Sequence, residues 1–256
     1  LRLTKDGELG TYMLKPIPVD LKKVSQVPAN EHLTMQIARQ VYAINTAENA
    51  LIFFKTGEPA YITKRFDVKQ DGTKWGKEDF ATLAGKTTEN AGANFKYDYS
   101  YEALAELLKR YVPSYVIEIE KLFNLIVFNY LFSNGDAHVK NFSLLETENG
   151  DYTLSPAYDL INTRIHVDDS DFALSKGLFK DNYISNEKAK SAKPGKQDFI
   201  EFARRVGIEK EKAENLLAPF LENQEGVARL IENSYLDEPT KRAYLIDYQT
   251  RRNQLN

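Results

Sequence analysis

A chain of 256 residues with 42% apolar side chains can form one large domain or two small ones around a substantial core. It has no cysteine and three histidines (His32, His138 and His166), which excludes disulfide scaffolds, thiolate metal sites and cysteine nucleophiles and argues against a multi-histidine metal cage. A formal charge of −3 argues against binding nucleic acid by bulk electrostatics.

The predicted elements begin with strands at 1–3 and 11–15 flanking the turn-like Lys5-Asp6-Gly7-Glu8, the pattern of a hairpin. Leu33, Ile37, Ala38 and Val41 then recur with the spacing of one helix face, and strands follow at 50–55 and 59–66. From Asp79 onward the pattern is largely helical. Tyr101–Tyr111 has helical spacing with Ser100 as its cap. Residues 116–132 are apolar on most sides and predict a buried helix, stopped by Ser133-Asn134-Gly135. Short strands at 142–146 and 152–155 enclose the hairpin turn Glu148-Asn149-Gly150-Asp151. Helices return over 197–248, and 191–196 reads as a flexible loop. The longest apolar run, 122–132, is too short to span a bilayer and is broken by Asn124 and Asn129. With no signal-peptide pattern at the start, the expectation is a soluble chain of the cytoplasm.

Polar residues concentrate in Gly135-Asp136-Ala137-His138-Val139-Lys140-Asn141, after the buried helix and before the hairpin. Asp136 and Asn141 have the spacing of the catalytic loop of protein kinases. Phosphoryl transfer needs a carboxylate that orients the attacking hydroxyl and takes its proton, and an amide oxygen one turn later can ligate Mg²⁺. Alone, the same pair also fits a loop whose side chains satisfy turn backbone. Asp159, just after the hairpin, would return to that cleft as a second metal-binding acid, in the order kinases use; alone it also fits a loop acid. Lys15, near a strand end, can reach nucleotide phosphates as a point charge, with Glu31 at a helix opening to hold it. It equally fits a solvated strand lysine. The stretch Lys64-Arg65-Phe66-Asp67 would offer backbone groups to an adenine ring, with Phe66 as an apolar wall; an edge strand of alternating charge is the other reading.

The residues 134–143 (Asn-Gly-Asp-Ala-His-Val-Lys-Asn-Phe-Ser) and Leu154-Ser155-Pro156-Ala157-Tyr158-Asp159 resemble the C-terminal kinase region of the HipA family, bacterial serine/threonine kinases of toxin–antitoxin systems. Asn30-Glu31, Arg65-Phe66-Asp67 and Lys77-Glu78-Asp79-Phe80 are similar to the family pattern in the same order, so the resemblance covers about residues 15–178. It implies an α+β, bilobal protein-kinase-like fold of the phosphatidylinositol-kinase branch, with a β-rich lobe over 1–78 and a helical lobe over 79–256. It implies ATP and Mg²⁺ as cofactors, Asp136 as catalytic base, and Asn141 and Asp159 as metal ligands. Lys15, held by Glu31, would contact the phosphates, and Lys64 to Phe66 would meet adenine. His138 would lie near the nucleotide or serve as a structural hydrogen-bonding group. Lys140 would hold either the substrate hydroxyl or the γ-phosphate.

The same resemblance implies a protein substrate, an aminoacyl-tRNA synthetase, whose phosphorylation halts translation. It also implies a HipB-like antitoxin partner, DNA reached only through that partner, and no membrane. The family's Gly-rich segment with a regulatory serine is not seen before Leu1. Either the numbering is truncated, or a separate small protein supplies the N-terminal subdomain in a HipT-like arrangement. A non-catalytic kinase-fold module binding an antitoxin or a DNA-bound repressor is the competing reading, and a kinase of lipids or small molecules is a third. The lysines from Lys176 to Lys196 form a basic stretch, read either as a solvated mobile loop or as a surface for an RNA-bound substrate or the antitoxin.

Overall fold

Strand β1 (Tyr12–Lys15) opens the regular structure of the computed structural model, which describes residue 2 and residues 4–256. Helix α1 (Val27–Gln40) follows, then β2 (Asn49–Phe53) and β3 (Pro59–Lys64). These strands form one antiparallel sheet in the order β1-β3-β2, with Tyr12 opposite Lys64 and Lys15 opposite Tyr61. The expected strand at 11–15 forms and pairs with β3, while the strand expected opposite it at 1–3 falls on Leu1 and Leu3, which lie outside the described residues. Helix α1 begins earlier than its apolar spacing suggests. Pro28 sits in its first turn, where a missing N–H costs nothing, so Glu31 lies in the second turn rather than at the opening.

The next strand, β4 (Lys77–Asp79), was not legible in the sequence. It leads into two single-turn helices, α2 (Phe80–Leu83) and α3 (Thr88–Ala91), then α4 (Tyr101–Tyr111), capped by Ser100 Oγ accepting from Ala103 N at 3.2 Å. Helix α5 (Tyr115–Leu131) is largely buried, and β5 (Ser143–Glu146) and β6 (Tyr152–Leu154) follow. The second sheet has the order β4-β5-β6, so backbone pairing joins Lys77 to Leu145 and places position 78/79 inside a strand. Glu118, buried on α5, accepts from Leu154 N at 3.0 Å and from Lys121 Nζ at 2.6 Å, fastening this sheet to the helix.

The remainder is helical: α6 (Asn186–Ser191), α7 (Lys196–Arg205), α8 (Lys210–Leu221), α9 (Glu225–Glu232) and α10 (Glu238–Leu255). Aromatic rings join these helices to α5 and α1, with Phe132 stacked on Tyr248 at 5.3 Å and Tyr42 on Phe220 at 4.7 Å; each buried ring is worth roughly 1.5–3 kcal/mol. Across the same seam, the Thr34 and Tyr244 hydroxyls lie 2.8 Å apart. The segment 191–196 is pinned rather than flexible. Tyr130 donates to Pro194 O at 2.7 Å, Lys193 Nζ lies 3.0 Å from Asp171, and Gly195 N donates to Asp198 at 3.0 Å.

Two backbone bonds decide where the hairpin returns. Ala47 N donates to Ala157 O at 2.9 Å and Ala157 N to Asn45 O at 2.8 Å. They hold the approach to Asp159 against the entry to β2, bringing it within reach of Lys15 on β1.

Candidate active site

The buried end of α5 launches the first half of the site. Ser133 adopts a left-handed backbone (φ 53°), and Asn134 donates to Asn129 Oδ1 at 2.9 Å. Thr163 Oγ1 accepts from Gly135 N at 2.9 Å and donates to Ser133 O at 3.0 Å, closing the turn. Gly135 is required by close approach, since a Cβ there would meet Asp169 Cγ at 2.6 Å. Asp136 follows with about half its side chain exposed and accepts from the Tyr97 hydroxyl at 2.7 Å. His138 Nε2 stands 3.8 Å from the same carboxylate oxygen, and its Nδ1 is buried without a partner. Burial lowers the His138 pKa against the pull of Asp136, which favours the neutral ring.

The second half gathers four sequence-predicted residues. Lys15 Nζ donates to Glu31 Oε1 at 2.7 Å and also to Asp159 Oδ1. Asn141 Nδ2 donates to Asp159 Oδ2 at 3.3 Å, and Asn141 Oδ1 is buried with no partner. Asp159 itself has a left-handed backbone (φ 56°), which aspartate tolerates better than most side chains. Burial works against the Lys15 ammonium, yet Glu31 and Asp159 outweigh it and raise the pKa. Burial, opposed by Lys15 and reinforced by Asp159, lifts the Glu31 carboxyl to about 7. Two carboxylates share one ammonium here. The unpartnered amide oxygen beside the Asp159 carboxylate fits a hard divalent cation, which takes oxygen donors and keeps several waters. Among the described residues there is no group of three or more His, Asp or Glu side chains that would compete for such an ion.

Asp159 opens onto a cavity of about 460 Å³, in the size range of small-ligand sites. Phe66 and Tyr158 form one apolar wall, 5.6 Å apart, with Lys77 Nζ 5.5 and 5.2 Å from their centroids. Lys64 and Arg65 also line it, but Lys64 N donates to Glu48 O and Arg65 N to Thr11 O. These two N–H groups are therefore committed within the protein. The Lys64 ammonium pairs with Glu48 at 3.1 Å. Lys140 lines the same cavity, its Nζ bonded to Asp79 at 3.1 Å, while the Tyr158 hydroxyl donates to Lys140 O at 2.8 Å.

Asp136 faces a different cavity of about 570 Å³ that shares no lining residue with the first, so the sequence-predicted residues gather into two groups. Lys15 bonds both Glu31 and Asp159, and Asn141 bonds Asp159; Phe66, Lys64 and Lys140 line the cavity beside them, and Asp136 with His138 stands apart. Asn134 joins the groups: its Nδ2 lies 3.4 Å from Asp159 O and its Oδ1 accepts from Asp136 N at 3.3 Å. Sequence reasoning missed this bridging role, along with Asp79, Thr163 and Tyr97. Asn134 and Asp79 lay within recognised motifs. Tyr97, in the aromatic run Phe95, Tyr97 and Tyr99, carried no signal of its own.

The mixed α/β fold is that of HipA-like and CtkA-like kinases. The chain belongs to the HipA-like C-terminal domain family, whose model matches residues 2–227. It is similar to a Haemophilus influenzae protein described as "Putative kinase", 25% identical over 264 residues, spanning 98% of this chain and 76% of that one. A Sinorhizobium fredii relative, "Putative kinase Y4dM", is 29% identical over 185 residues, 68% of this chain and 42% of the relative. Among solved structures, the fold is similar to Shewanella oneidensis HipA, seen in complex with HipB and operator DNA, with TM-score 0.69 and 20% identity. That match covers 94% of this chain and 57% of HipA. It is also similar to the Helicobacter pylori proinflammatory kinase CtkA, with TM-score 0.62, 17% identity and coverage of 99% and 90%. The family and the curated relatives support a kinase-type function. Among the described residues no helix is long and apolar enough to cross a membrane.

Proposed function

We propose that the chain is an ATP- and Mg²⁺-dependent serine/threonine protein kinase of the HipA type, with the bilobal, phosphatidylinositol-kinase-like division at 78/79 expected for that class. The observation that carries this reading is the buried, unpartnered Asn141 oxygen beside the Asp159 carboxylate, held next to Lys15 at the edge of a ligand-sized cavity. Asn141 and Asp159 would hold Mg²⁺, which when bound supplies charge neutralisation at the phosphates. Glu31 holds Lys15, whose ammonium contacts phosphate oxygens. Lys140, fixed by Asp79, lines the nucleotide cavity with Lys64, Arg65 and Lys77, so it serves the γ-phosphate better than the acceptor hydroxyl. With the Lys64 and Arg65 N–H groups already engaged, adenine contact falls to the Phe66 ring and to the carbonyls of 64–66. Asp136 orients the acceptor hydroxyl and takes its proton, and His138, neutral and partly buried, braces that loop. Catalysis then rests on positioning and charge placement more than on covalent chemistry.

We further propose a protein acceptor of the kind the family resemblance implies, an aminoacyl-tRNA synthetase, with arrest of translation in the cytoplasm as the result. A HipB-like antitoxin is the proposed partner, supported by the HipB complex of the Shewanella protein, with DNA reached only through it. A small protein carrying an N-terminal subdomain is a further proposed partner. Mass spectrometry of lysate phosphopeptides after pulsed expression of wild type against Asp136→Asn tests the activity. The expected result is a discrete set of phosphoserine or phosphothreonine sites present only with wild type; identical phosphopeptides in both would remove the kinase reading.

A further inference from the structure

The cavity that Asp136 faces does not end at the base. Beside Asp136 it is lined by Asp169 and by apolar side chains including Ile161, Val167 and Ala173. Through Ser170 and Ala173 it adjoins a second cavity of about 480 Å³, which shares Lys176 and Lys188 with a third of about 340 Å³. A run of adjoining cavities thus leads from the base to a pair of lysines. The far end is fixed relative to the near one, because Ser175 N donates to Tyr97 O at 2.8 Å and Lys176 N to Tyr99 O at 3.2 Å. Tyr97 is the residue whose hydroxyl holds Asp136.

The charges along this path are graded. At the far end Asp181 is neutralised by Arg205 at 2.9 Å, and Lys180 is engaged by Glu106. Lys176 and Lys188 have no carboxylate partner among the described residues. Among the described residues, the charged side chains that line the near end are the carboxylates of Asp136 and Asp169, with the Lys96 ammonium 4.8 Å from the Tyr97 ring beside them. A nucleic acid carries a negative charge at every step and would be repelled from the near half. An extended polypeptide can vary its side chains residue by residue at about 3.3 Å each, matching apolar walls near the base and cations farther on.

We propose that this groove docks the acceptor protein as an extended segment with its hydroxyl at Asp136, flanked by apolar side chains, and with acidic side chains a few residues away on Lys176 and Lys188. The proposal rests on the kinase reading of Asp136 for its direction, whereas the docking itself needs no phosphoryl transfer.

Fluorescence anisotropy tests the docking with a labelled peptide that carries one serine flanked by valines and a run of glutamates at one end, beside the same peptide with lysines for glutamates and an oligouridylate of equal length. The acidic peptide is expected to bind, and to bind about tenfold more weakly to Lys176→Glu/Lys188→Glu, two surface charge reversals acting together. The control Lys55→Glu/Lys74→Glu should leave binding unchanged. Lys176→Ala/Lys188→Ala, with an unaltered melting midpoint, should weaken it in the same direction. Equal binding by wild type and both lysine-pair variants overturns the proposal, as does tighter binding of the oligouridylate than of the acidic peptide. Phosphopeptides from lysate separate the two readings. Transfer retained at wild-type level in Lys176→Glu/Lys188→Glu removes the groove and leaves the kinase, whereas docking without any transfer removes the kinase and leaves the groove.

Discussion

The Tyr97 hydroxyl donates to Asp136 Oδ1 at 2.7 Å, across a sequence separation of 39 residues. The bond fixes one oxygen of a half-exposed carboxylate and leaves the other for the acceptor. Tyr97→Phe removes the bond while keeping the ring against His138, 5.3 Å away. The expected outcome is a fall of about tenfold in kcat with KM for ATP unchanged, since misorientation of a catalytic group lowers the rate without weakening nucleotide binding. Steady-state kinetics on any phosphorylated acceptor checks the split.

Asp136→Asn retains the shape of the loop but removes the proposed proton acceptor. Transfer should fall by about 10²- to 10⁴-fold, the usual span for general base catalysis. The melting shift produced by ATP with Mg²⁺ should remain, because Asp136 faces the other cavity.

Asp159→Asn and Asn141→Ala act on the nucleotide side. Each should abolish the Mg²⁺-dependent part of the ATP-induced melting shift, whose total for wild type is about 2.7 kcal/mol at a ligand excess of about 100 times Kd. Differential scanning fluorimetry with and without Mg²⁺ reads this directly. A full metal-dependent shift in both variants would remove the pair as ligands.

Glu31 gives the fold a pH signature. Burial lifts its carboxyl from the ordinary 4.5 to about 7, so between those values the folded chain binds more protons than the unfolded one. Stability therefore falls as pH rises through that window, by about 3 kcal/mol at most. Histidines titrate nearby, so the measurement is the difference between wild type and Glu31→Gln. Urea unfolding from pH 4.5 to 7.5 should show the wild-type curve declining relative to the variant. Parallel curves would place the Glu31 titration elsewhere.

Much of the fold was legible because its signals are local. The cap at Ser100, the apolar run of α5 and the hairpin turn at Gly150 each depend on neighbours in sequence. The kinase-type motif and the family were legible for the same reason, since 134–143 and 154–159 are compact. What escaped were pairings set by distant partners. Strand β4 is three residues long and exists because β5 lies beside it, and β1 joins β3 across the intervening helix α1. The loop 191–196 has a flexible composition, yet Tyr130, Asp171 and Asp198 hold it. At the site, the Lys15–Glu31 contact was anticipated from residue types, whereas the separation of Asp136 and Asp159 into two cavities depends on how Asn134 packs.

Arg251 of α10 is almost wholly buried, bonded to Asp171 at 2.6 Å and reaching Ser133 Oγ at 3.3 Å, at the turn that launches the Asp136 loop. That guanidinium follows Ser133 by 118 residues, about 6–24 s of ribosomal elongation. The nascent polypeptide consequently carries its loop acids well before their brace exists. The turn that launches the Asp136 loop thus gains its last brace only once α10 has docked, a delay written into connectivity.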